Sequence, residues 1–158
     1  MLIAEEASGM VVAGACAVVG RRQFVLGVVP GLSALGEVRR SVQSWLAGSS
    51  AAACADDACL VVHELVANAV EHGGAVEGSW VEVSLDVDPG AGLLRVSVWD
   101  GGGVFTVTEP ERTAAAAAVV DGERGRGLAM VSALSRAWGV QEVSSGKRVW
   151  ATLGLSDH

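Results

Sequence analysis

Hydrophobic and polar positions change rhythm several times along this chain, and each rhythm predicts an element. Val81, Val83, Leu85 and Val87 alternate with Glu82, Ser84, Asp86 and Asp88. A period of two puts every second side chain on one face, which is the pattern of a half-buried strand. Pro89-Gly90-Ala91-Gly92 supplies a turn, and Leu94, Val96 and Val98 then alternate with Arg95, Ser97 and Trp99 as far as Asp100-Gly101-Gly102-Gly103. The two runs predict an antiparallel hairpin.

Residues 24–29 read as a further strand, ended by Pro30-Gly31. Ser33 is placed to cap a helix in which Leu35, Val38, Val42, Trp45 and Leu46 recur at helical spacing until Gly48. A second helix starts at Asp56 and Asp57 and runs to Gly73-Gly74. Its acids at the start and His72 near the end suit the helix dipole. Gly125-Arg126-Gly127 opens a third helix carrying Leu128, Val131, Leu134 and Trp138, and two closing strands, 140–143 and 149–155, flank Ser144-Ser145-Gly146-Lys147.

Two segments lack a period. Residues 1–22 are small and apolar and are expected to be an N-terminal arm or an extra strand ahead of a domain spanning 23–158. Residues 104–124 show only the run Ala114 to Ala118, and so long an unpatterned segment reads as a lid, a binding loop or disorder. The predicted fold is α/β, of the α+β kind: a two-layer sandwich with a mostly antiparallel sheet covered on one face by three helices.

Composition narrows the function classes. The chain has 158 residues, 51% hydrophobic and 18% charged, which suits one globular domain with a real core. The longest apolar stretch, Met10 to Gly20, falls short of the ~20 residues a membrane span needs. Glu5 and Glu6 stand where a signal peptide would be positive. The chain is therefore read as cytoplasmic, without a membrane. A net charge of -7 argues against a nucleic-acid partner, which would call for a clustered basic face. Cys16, Cys54 and Cys59 match neither a CxxC pair nor a zinc knuckle and are expected to be reduced thiols.

The candidate chemistry lies on three segments. Glu64 and Asn68, four residues apart in an otherwise apolar helix, share one face. Asn68 could give an oxygen to Mg2+, which takes few protein ligands besides phosphates and water, and Glu64 could act as a general base. A helix face bordering solvent is the alternative. His63-Glu64 does not make a zinc-protease motif, because Ala67 stands where the second His is required. Asp100 at a strand end could accept a hydrogen bond from an amine-bearing ligand, or the Asp-Gly pair could simply be a turn. Gly122-Glu123-Arg124-Gly125-Arg126-Gly127-Leu128 leads into a helix N-terminus, which favours an anion such as phosphate. Neither a P-loop nor GxGxxG is present.

Taken in order, these segments resemble the GHKL (histidine-kinase-like) ATPase superfamily, most closely its bacterial anti-sigma-factor serine/threonine kinases. LVVHELVANAVEHG resembles the N box, VSVWDGGG the first glycine box, GRGLAMVSALS the second, and WGV with GKRVWATL the closing strands. The similarity covers about residues 24–155. It implies the Bergerat ATP-binding fold, with Asn68 coordinating Mg2+ and Glu64 as catalytic base. It also implies Asp100 on the adenine amino group with Gly102 beside it, and Gly125, Gly127 and Leu128 around the phosphates. Residues 104–124 would be the ATP lid. The first glycine box departs from the superfamily pattern at Val104, where a glycine is usual.

The resemblance implies a kinase that uses ATP and Mg2+ to phosphorylate an anti-sigma-factor antagonist, in a switch that also involves a sigma factor. A homodimer is among the assemblies it allows. The alternative is a regulatory module that binds nucleotide and a protein partner without phosphoryl transfer.

Overall fold

The alternation over 81–100 folds as an antiparallel hairpin of β4 (Val81–Asp88) and β5 (Leu93–Asp100), in a register that sets Val83 opposite Val98 and Leu85 opposite Val96. The structure is a computed structural model that describes residues 3–6, 9–18, 20–29, 33–72, 80–101, 112–113, 124–143 and 146–156. The hairpin lies at the middle of a single sheet. Before it come β1 (Ile3–Glu6), β2 (Gly9–Val18) and β3 (Arg21–Val28), and after it β6 (Arg112–Thr113), β7 (Ala137–Val143) and β8 (Gly146–Gly154). The strand order among the described residues is β1-β2-β3-β4-β5-β8-β7-β6, with every neighbouring pair antiparallel.

Among the described residues three α-helices cover one face of this sheet: α1 (Ala34–Ala47), α2 (Ala55–His72) and α3 (Arg124–Leu134). In α1 the buried residues Ala34, Val38, Val42 and Leu46 repeat every four positions, and in α2 Ala58, Val61, Val62, Leu65, Val66 and Ala69 form the matching stripe. They meet Leu26, Val28, Val83, Leu85, Val96 and Leu153 from the sheet in one core. Each such Val or Leu contributes roughly 1.5 to 3 kcal/mol by leaving water. The fold is the expected α+β sandwich.

Arg22 ties the N-terminal strands to the helical layer. Its guanidinium lies 5.2 Å from the centre of the Trp45 ring and donates to the Gly48 carbonyl at the end of α1, while Trp45 stacks on Phe24 with centroids 5.3 Å apart. Residues 1–22, which show no period in the sequence, thus contribute β1, β2 and the first residues of β3.

Three local expectations are corrected. Trp138 does not continue α3, which ends at Leu134; it is a buried residue of β7. Ser135 still donates its N–H to the Val131 carbonyl as in a helix, and the helix stops because the Arg136 N–H donates instead to the Thr152 carbonyl on β8, 2.8 Å away. From there the chain pairs with β8, and Trp138 and Val140 follow the period of a strand. β8 itself starts at Gly146, three residues before the expected 149. Ser33 occupies the N-cap position of α1 but makes no side-chain cap, because its backbone is helical (φ -92°, ψ -13°) rather than extended. The alanine run and nearly all of the expected lid lie outside the described residues.

Candidate functional site

The N-terminal turns of α3, the middle of α2 and the end of β5 are linked through α2, which packs on both α3 and β5. Glu64 and Asn68 are half-buried on α2, with Leu65, Val66 and Ala69 of the same turns buried in the core. Two polar side chains one turn apart therefore sit at the border of the packed layer. His63, the other half of the rejected zinc motif, is exposed.

Across from Glu64 stands Gly127 of α3. A Cβ built on Gly127 would overlap Glu64 Oε2, so only a hydrogen fits between the helix backbone and the carboxylate. The sequence separates these residues by 63 positions, and the fold brings them into contact. Gly125 lies in the first turn of the same helix, and Leu128 is half-buried with its side chain packed on the core. Gly102 lies outside the described residues.

Asp100 ends β5 on the helix-covered side, because it continues the alternation of Leu94, Val96 and Val98. Only 4% of its surface is exposed, and its Oδ2 is buried. A carboxylate in such surroundings is a strong acceptor for N–H donors, because charge-assisted hydrogen bonds are shorter and stronger than neutral ones. That is the environment an amine-bearing base would require.

Reading the sequence alone missed Gly146. Its φ of +145° lies where residues with side chains are rarely found. A Cβ there would also overlap the Asp100 carbonyl oxygen and lie 3.0 Å from Gly101 Cα. The start of β8 is thereby pressed against the end of β5, with Lys147 opposite Asp100 in register. The available signal was the glycine that opens GKRVWATL, which marks a strand start but not its contact.

Among the described residues no group of three or more His, Cys, Asp or Glu side chains could hold a metal ion. A Mg2+ held by one carboxamide oxygen, phosphate oxygens and waters needs no such cluster, so Asn68 remains suited to that role. No helix of the described residues is long and apolar enough to cross a membrane.

The family model of the histidine kinase-like ATPase domain matches residues 29–153. The match begins after β3 and ends within β8, so it takes in α1, α2, α3 and every candidate site residue named above. A comparison with curated proteins finds no match.

Proposed function

The chain belongs to the histidine kinase-like ATPase domain family, and on that premise we propose that it is an ATP-dependent protein kinase of the anti-sigma-factor type. Domains of this family bind ATP, generally with Mg2+, and the α+β sandwich found here is consistent with their ATP-binding fold. In the proposed site Asp100 accepts from the adenine amino group beside Gly102. Gly125, Gly127 and Leu128 donate backbone N–H groups to phosphate at the start of α3, where the dipole favours an anion. Asn68 contributes an oxygen to Mg2+.

The observation that carries this reading is the closure of α3 onto Glu64 at Gly127. It sets a carboxylate beside the helix N-terminus at which a phosphate would rest. Mg2+, when bound, neutralises charge on the transferred phosphoryl group. Glu64 takes the proton of an attacking Ser or Thr hydroxyl as the new O–P bond forms and the bond to the departing ADP breaks. The acceptor is proposed to be an anti-sigma-factor antagonist, and the protein otherwise held a sigma factor, both in the cytoplasm, with the kinase able to act as a homodimer.

The same contact supports a second reading. Glu64, held against Gly127, could serve only to seat α3, leaving a nucleotide-binding module without transfer. The two are separated by incubating the protein with Mg-ATP and candidate antagonists and measuring phosphoserine and phosphothreonine by mass spectrometry. Kinase activity predicts a phosphorylated antagonist and a transfer rate reduced about 100-fold or more in Glu64→Gln, the usual scale for a general base. An unchanged rate in Glu64→Gln would remove the base, and no labelled antagonist would favour the binding module.

A further inference from the structure

We propose that Trp99 is a positioning residue for base recognition, acting through Gly101 to hold the strand end that presents Asp100. The proposal rests on the assignment of Asp100 to the adenine amino group made above. Asp100 and Trp99 are neighbours on β5, so they point to opposite faces of the sheet. Asp100 faces the helices, and Trp99 lies half-buried on the other side.

The Trp99 indole lies along the strand toward Gly101, two residues on. A Cβ built on Gly101 would meet Trp99 Cη2 at 2.6 Å, Cζ2 at 3.1 Å and Cζ3 at 3.2 Å, so the ring occupies the space a side chain would take there. Trp80 precedes Val81, the residue opposite Asp100, and meets the Trp99 ring edge-on, with centroids 5.8 Å apart and planes at 61°. A Cβ built on Gly146 would lie 3.0 Å from Gly101 Cα as well. Gly101 is therefore held by an aromatic ring and by the backbone of β8.

This matters because glycine is the residue with the greatest backbone freedom, and it follows the carboxylate directly. Without the ring, the φ and ψ of Gly101 are less restrained, so the end of β5 frays more readily from Val81 and Lys147 and the Asp100 carboxylate it carries loses its fixed direction. Hydrogen bonds weaken steeply when misaligned. The phosphate contacts come from α3, a different element, and do not depend on Trp99. Loss of the ring should therefore lower discrimination between bases and leave the affinity common to all nucleotides unchanged.

The test compares Mg-ATP with Mg-ITP by calorimetry on the full chain, since hypoxanthine lacks the exocyclic amine. A hydrogen bond to a charged group corresponds to about a tenfold or greater preference for ATP in the wild type. Trp99→Ala is expected to reduce that preference to about twofold through weaker ATP binding alone, and Trp99→Phe to restore most of it. Should Trp99→Ala fail to fold, Trp80→Ala removes the edge contact and the preference should again fall. A preference unchanged in the variant that folds, or equal losses for both nucleotides, would overturn the role of Trp99. A wild type that binds both equally would instead overturn the assignment of Asp100, and this proposal with it.

Discussion

Glu64 and Gly127 meet across the α2–α3 interface with no room for a methyl group between them. The obstructing atom is the far end of a flexible side chain, so Gly127→Ala can be accommodated by swinging the Glu64 carboxylate aside. Stability should change little, while phosphoryl transfer should fall about 10- to 100-fold, because small displacements of a reacting group cost that much. Thermal unfolding and a single-turnover assay on the same variant check the two halves. Equal transfer rates in variant and wild type would mean that the position of Glu64 is immaterial.

Gly146 presents the opposite case, since its neighbours are the backbone atoms of Asp100 and Gly101 and its φ is +145°. Backbone cannot swing aside. Strain and overpacking together put the cost of Gly146→Ala at about 2 to 4 kcal/mol, a fall in Tm of roughly 5 to 15 °C for a domain of this size. Calorimetric unfolding would show it, and a shift under about 2 °C would contradict the contact.

The hairpin turn should carry a pH signature. Asp88 accepts from the Ala91 N–H at 3.0 Å and pairs with Arg21 at 2.5 Å, and these two partners, in that order, hold its carboxyl below the ordinary range. A lowered folded value means stability that is fully present above the unfolded pKa of about 3.9 and is lost as pH falls through the folded one. In urea unfolding, the stability gap between wild type and Asp88→Asn should be constant above about pH 5 and close in stronger acid. It should also shrink in high salt, as for an exposed pair. A gap independent of pH would exclude the ion pair as its source.

Cys54 and Cys59 are free, buried thiols, and burial pushes both up from their ordinary value. The Cys54 thiol also donates to the Ala51 carbonyl at 3.2 Å. Because the thiolate is the reactive form, both should resist a thiol reagent in the folded protein and react at once in denaturant. Peptide mapping of the labelled sites distinguishes them from Cys16, and rapid labelling of either in the native state would contradict their burial.

The elements most legible in the sequence are those in which one period dominates. Val81 to Val98 could hardly be anything but a two-stranded ladder, and the α1 pattern of Leu35, Val38, Val42, Trp45 and Leu46 mixes spacings of three and four, which fits a helix and not a strand. Trp138 was misread because an aromatic four residues after Leu134 fits a helix as well as a strand. What decides the matter is the Arg136 N–H donated to Thr152, a contact between segments that no local pattern contains. The candidate site divides in the same way. Glu64, Asn68, Asp100 and the glycines before Leu128 stand out by residue type and spacing. Gly146 and Trp99 matter through cross-strand register and ring direction, which exist only after the sheet has formed.

Whether Mg-ATP binds beside α2 is read from its affinity for the wild type and for Asn68→Ala by isothermal titration calorimetry. The expected result is one ATP per chain in the wild type and a Kd at least about tenfold weaker in Asn68→Ala, an energy of about 1.4 kcal/mol, with the thermal unfolding midpoint unchanged. No binding by the wild type, or undiminished Mg-ATP affinity in Asn68→Ala, would contradict it.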